Sequence, residues 1–160
     1  LVEELERENF RVVGADDLLR DIVAPQGDLT EKIPDKSDKQ DIVLGVRIAQ
    51  TLGVLDVGQA VVVQQGIVLG VEAIEGTDAL LKRCADLKRE EQGGVLIKLK
   101  KPQQERRADL PTIGVETVRL AAQIRLNGIA VEEGQSLILD RREVVSEANR
   151  LGLFVTGVRA

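Results

Sequence analysis

Apolar positions along this chain follow two different periods, and each marks its own kind of element. Residues 59–64, 67–72 and 95–100 are dense in Val, Ile and Leu, the pattern of strands covered on both faces. Gln65-Gly66 separates the first two runs, a hairpin signal. Shorter strands are predicted at 129–132, 136–139 and 153–158, with Glu133-Gly134 as the turn between the first pair. Helical spacing appears at 2–8 and 16–24. It returns from a Ser37 or Asp38 cap to 52, from a Thr77 cap to 89, over 115–126, and from an Asp140 cap to 151. Gly53, Gly93-Gly94 and Asn127-Gly128 separate these helices from the next elements. Residues 10–14 form a brief apolar run between the first two helices.

The order of elements predicts an α/β fold: a single domain with a mixed β-sheet flanked by helices. The hairpin supplies antiparallel pairs and the helical crossovers supply parallel ones. Residues 25–37 turn polar and contain Pro25, Gly27 and Pro34, the composition of a linker. The expected organisation is therefore 1–24 as the tail of a preceding unit, 25–37 as linker and 38–160 as the main domain. The chain starts at Leu1 and contains no Met, which predicts a piece of a longer protein.

Composition narrows the chemistry. With no His, imidazole bases and His metal ligands are excluded, leaving Asp, Glu, Lys, a hydroxyl or a metal-bound water for proton transfer. Cys84 is the single cysteine, so no internal disulfide forms, and its place in a helix predicts core packing. Phe10 and Phe154 are the only aromatic residues, so the core must be aliphatic and the chain is a poor platform for stacking bases. A net charge of −5 argues further against nucleic acid as partner. No apolar run reaches membrane-spanning length and no signal peptide is visible, which predicts a cytoplasmic location.

Residues 98–114 carry the densest chemistry. Lys98, Lys100, Lys101, Arg106 and Arg107 mix with Glu105, Asp109, Gln103 and Gln104 in a connection restrained by Pro102 and Pro111. Cations beside carboxylates suit a phosphate ester whose charge is met by Lys and Arg and by a divalent ion. A plain solvated loop has the same composition. A second constellation, 71–79, ends a strand, frees the backbone at Gly76 and opens a helix at Thr77. It reads either as a phosphate-binding turn with Asp78 or Glu75 directed at a metal, or as an ordinary capped helix. A third, Asp35, Asp38 and Asp41 at intervals of three, is expected to be structural.

Together Val71-Glu-Ala-Ile-Glu-Gly-Thr-Asp78, Lys98, the run from Lys101-Pro through Gln104, Glu105, Arg107, Asp109 and Pro111 to Gly114, and Gly152-Leu-Phe-Val155 resemble the UDP-2,3-diacylglucosamine pyrophosphatase family of LpxI type, in its carboxy-terminal domain. The resemblance implies magnesium-dependent hydrolysis of UDP-2,3-diacylglucosamine to UMP and 2,3-diacylglucosamine 1-phosphate in lipid A biosynthesis. It also implies that residues 1–24 are the remnant of an amino-terminal Rossmann-like domain, with substrate held between the domains. By the same resemblance Asp109 and Glu105 bind metal or activate water, with Asp78 as a further metal ligand and Lys101 among the catalytic groups. Lys98, Lys101 and Arg107 would clamp phosphate oxygens, Gln104 would orient substrate, and Thr77 would receive a phosphate at its helix start. Glu105 stands where the family motif has Asp. Expected partners are the diacylated substrate, the amino-terminal domain, another copy of the chain, and, because the substrate is a lipid, a transient inner-membrane surface. The alternative is a module that binds an anion or self-associates without catalysis, inactive when the amino-terminal domain is missing.

Overall fold

The computed structural model describes residues 2–14, 20–102 and 110–160. A short helix α1 (Val2–Arg7) buries none of its residues, and the apolar run at 10–14 forms no strand, leaving Phe10 exposed. A 3-10 turn at Arg20–Ile22 replaces the described end of the helix expected over 16–24, and Val23 then bridges to Leu137. Within the polar stretch 25–37, β1 (Gly27–Asp28) joins the main sheet.

Helix α2 (Lys36–Val54) is next, then β2 (Ala60–Gln64), β3 (Ile67–Val71), α3 (Thr77–Ala85), β4 (Val95–Lys98), β5 (Thr112–Ile113), α4 (Val115–Gln123), β6 (Gly128–Glu132), β7 (Leu137–Ile138), α5 (Arg141–Leu151) and β8 (Phe154–Val158). Six strands form one sheet in the order β1-β8-β6-β4-β2-β3. Strands β4, β6 and β8 are parallel, β2 is antiparallel to β4 and β3, and β1 is antiparallel to β8. The carboxyl ends of β3, β4, β6 and β8 therefore lie along one edge. Strands β5 and β7 pair in a separate parallel ribbon, one that the short proline-containing sequence around 110–113 does not announce.

The chemistry of the turns explains the connections. Gln65 and Gly66 both have positive φ, 52° and 73°, the backbone a two-residue hairpin needs to match the strand twist. Asp35, and neither Ser37 nor Asp38, is the N-cap of α2: its side chain accepts the Asp38 amide, and the Asp38 carboxylate accepts the Asp35 amide in return. Helix α3 stops at Ala85, short of the expected 89. Residues 89–93 instead surrender their backbone groups to the buried Gln64 side chain, which donates to the carbonyls of Glu90, Gln92 and Gly93 and accepts from the Arg89 amide.

Strands β2 and β4 are buried along their whole length, as the aliphatic residues before their terminal Gln64 and Lys98 require. One face, built from Val61, Val63, Val95, Ile97 and Phe154, packs under α2. The other, built from Val62, Leu96, Ile129 and Val131, is covered by Leu80 and Leu81 of α3, Val118 of α4 and Val144 of α5. Lys98 continues this alternation onto the α3 and α4 side, and Glu132 onto the α2 side.

Candidate active site

Lys98 is the last residue of β4 and is only 7% exposed. Its cross-strand partner on β2 is Ala60, and the Ala60 carbonyl accepts the amide of Glu72 just beyond β3. Glu72, Ala60 and Lys98 thus stand in one row across three strands. The small Ala60 side chain separates the two charged ones, and the Thr77 hydroxyl links them. Lys98 Nζ donates to Thr77 Oγ1 at 2.9 Å, and Thr77 Oγ1 donates to Glu72 Oε1 at 3.1 Å. Lys98 Nζ also donates to the Thr112 carbonyl at 3.0 Å. Thr77 opens α3, and Thr112 lies three residues before α4, so one ammonium group ties the amino ends of both helices together. Helix amino ends carry partial positive charge and unpaired N–H groups, and with the ammonium they make a strongly anion-favouring locale.

The N-cap of α3 is Gly76, not Thr77, and it has φ of 81° with no side-chain cap bond. A Cβ at Gly76 would meet nothing within 4 Å among the described residues. The Thr77 hydroxyl is already engaged on both sides. Glu75 is locked into the same turn: its carboxylate accepts the Ala73 amide at 3.0 Å and the Arg83 guanidinium at 2.6 Å. Its own backbone N–H first, and then Arg83, hold its carboxyl below the usual range. Asp78 is exposed on the first turn of α3.

The other expected site residues divide. Lys101 lies on the α2 side, packed near Gly53, with Nζ 2.7 Å from the Asp56 carboxylate. There it borders a cleft of about 340 Å³ shared with Gln50, Lys100 and Glu132. Among the described residues, the ammonium groups of Lys101 and Lys98 have different partners. Gln104, Glu105, Arg107 and Asp109 lie outside the described residues. Among the described residues, no group of three or more Cys, Asp or Glu side chains is placed to hold a metal ion. Asp35, Asp38 and Asp41 serve structure: Asp38 also accepts from Asn127 at 2.8 Å, and Asp41 accepts two amides of the β2–β3 turn. Cys84 is buried on α3, and burial pushes its thiol pKa up, the opposite of an activated nucleophile.

Glu72 is the residue that sequence reasoning passed over. It sits in the 71–79 run beside Glu75 and Asp78, and nothing local separates the three. Only the alignment of the ends of β3 and β4 across Ala60 does so.

Fold and cluster define a mixed-sheet α/β domain with its charged groups gathered at the carboxyl ends of its strands, where open α/β sheets receive ligands. The chain belongs to the family of the LpxI C-terminal domain, whose model matches residues 25–156. It is similar to the UDP-2,3-diacylglucosamine pyrophosphatase LpxI of Caulobacter vibrioides, with 44% identity over 164 residues. That alignment covers 99% of this chain and 59% of the relative, so the chain spans about three fifths of the curated protein it matches. Among the described residues, no helix is long and apolar enough to cross a membrane.

Proposed function

We propose that this domain carries part of the site for hydrolysing the pyrophosphate bond of UDP-2,3-diacylglucosamine, giving UMP and 2,3-diacylglucosamine 1-phosphate. The observation that supports this reading most is Lys98, a buried cation held where two helices present their amino ends. A pyrophosphate is the ligand that such a concentration of positive potential suits, and the name of the Caulobacter relative supplies the same substrate class.

Water attacking a phosphorus atom meets anionic oxygens on every side, so the first requirement is neutralisation of charge. Lys98 and the amides opening α3 meet one part of it. Arg107 and Lys101 are proposed to meet the rest, with Gln104 orienting the substrate. Asp109 and Glu105, with Asp78, are the proposed ligands of magnesium, which when bound would lower the charge of the phosphate and position water. The relative is longer than this chain, and we propose that an amino-terminal domain makes up the difference, closing the site and gripping the nucleotide that this aromatic-poor domain cannot stack. Because the substrate carries acyl chains, we further propose a cytoplasmic protein in transient contact with the inner membrane.

The test is release of UMP from UDP-2,3-diacylglucosamine with magnesium. It would be run on the 160-residue chain, on the same chain extended by an amino-terminal domain, and on the extended Lys98→Met variant. Activity in the extended chain that falls at least about a hundredfold in Lys98→Met is the expected result. A folded extended chain that releases no UMP overturns the reading in favour of a non-catalytic anion-binding module.

A further inference from the structure

The chain of groups behind Lys98 gives a task to a residue that the proposed reaction leaves unused. We propose that Glu72 is a positioning residue that fixes the ammonium group of Lys98 through the hydroxyl of Thr77. The relevance of this to catalysis rests on the pyrophosphatase reading above, but the positioning itself does not.

The direction of the chain comes from the chemistry of its members. An ammonium group only donates, and an ionised carboxylate only accepts. A hydroxyl placed between them must accept from Lys98 and give its one proton to Glu72, as the 2.9 Å and 3.1 Å distances show. Thr77 therefore has no proton left for a phosphate oxygen, and its side chain acts as a spacer between two charges. Only its backbone N–H remains for an anion at the start of α3.

Burial makes the arrangement consequential. Glu72 is 5% exposed and Lys98 is 7% exposed, and neither charge is tolerable in an aliphatic core without compensation. Glu72, one hydroxyl away from the ammonium group, places a buried carboxylate beside it. Glu72 is committed to this task. Oε1 takes the Thr77 proton, while Oε2 is buried without a hydrogen-bond partner among the described residues. An acid kept inside a core with one oxygen unsatisfied costs stability, so its place here calls for a role beyond packing. Direct contact of Glu72 with Lys98 would draw the ammonium group back among the strands. The interposed hydroxyl holds it beside the start of α3, where it also reaches the Thr112 carbonyl.

The experiment reads Lys98 itself, without ligand. In the 160-residue chain the Nζ proton signal of Lys98 is recorded by nitrogen-15 correlation spectroscopy, which detects an ammonium group only when it is held out of rapid exchange. The signal should be sharp in wild type and lost in Glu72→Gln and Thr77→Val. It should return in Thr77→Ser, which restores the hydroxyl, with melting temperature used to confirm that each variant is folded. In the extended chain, Glu72→Gln should lower kcat/KM about tenfold, the worth of one charge-assisted contact, and should cost nothing further when Lys98 is already Met. A Lys98 signal that survives intact in folded Glu72→Gln overturns the inference whether or not the protein hydrolyses anything. So does a loss of rate that is just as large in the Lys98→Met background. If the signal behaves as expected but no UMP is ever released, the positioning role stands and the pyrophosphatase reading falls.

Discussion

Asp41 on α2 reaches across to the β2–β3 turn and holds Gly66, with Oδ1 2.6 Å from the glycine amide nitrogen. Its other oxygen accepts the Gln65 amide at 2.9 Å, so one buried carboxylate satisfies both donors of a hairpin turn whose residues have positive φ. Asp41→Ala would leave both amides facing a partly buried gap. The expected loss is roughly 2–4 kcal/mol of unfolding free energy, read as a lower urea midpoint at unchanged slope. A loss below about 0.5 kcal/mol would mean that water replaces the carboxylate without penalty.

Gly45 lies where α2 crosses the sheet, and a Cβ there would run into the side chain of Ile97 on β4. Alanine is the better helix former by about 1 kcal/mol, so an open site would gain from the change. Here overpacking of about 1–3 kcal/mol opposes that gain, because Ile97 is fully buried and has nowhere to move. Gly45→Ala should lower the thermal midpoint, and an increase would show that α2 can shift outward freely.

Glu147 links the two helices on the far side of the sheet. Its carboxylate accepts from Arg150 on α5 at 2.8 and 2.9 Å and from Arg119 on α4 at 2.9 Å. Arg150 first, and Arg119 second, bring its carboxyl from 4.5 down to about 2. A carboxyl whose pKa falls on folding stabilises the native state above its unfolded value and withdraws that support as pH drops. The contribution should be present in full above about pH 5 and disappear between pH 4.5 and 2. Carbon-detected titration of the Glu147 carboxyl checks it directly. Arg150→Ala should raise the midpoint toward 4.5, with Arg119→Ala giving the smaller change.

Asp109→Ala should abolish UMP release from the extended chain while leaving its melting temperature unchanged. Retained activity would remove Asp109 from the proposed chemistry. Glu105→Asp is the complementary test, since it restores the acid that the family motif carries. Equal or higher kcat is expected, and a drop of about tenfold or more would show that this chain has adapted to the longer side chain.

Much of the framework was readable because local pattern and tertiary demand agree. The aliphatic runs at 59–64 and 95–100 have no stable place except between two covered faces, and Gln65-Gly66 names its own turn. Lys98 and the 71–79 run were likewise legible as charge at the ends of apolar strands. The failures lie where a partner distant in sequence decides. Two residues at 27–28 become a strand only because the outer edge of β8 is there to receive them. Helix α3 ends early because Gln64, more than twenty residues away, competes for the backbone that would have continued it. Glu72 matters because strand register sets it across Ala60 from Lys98, and register is a property of the sheet rather than of either strand.

The brevity of β1 has a practical side. Strand β8 spends one edge on β6 and offers the other to Gly27 and Asp28, with the Leu29 amide continuing to the Val155 carbonyl and Thr30 reaching the Val155 amide. A version of this protein trimmed to begin after Thr30 would keep its charged loop and both sides of its core. It would also bare the backbone edge of Phe154–Val158, ready to pair with the same edge of a neighbouring molecule. For anyone cutting this domain from a longer chain, the few residues from Gly27 to Thr30 are the ones that cover that edge.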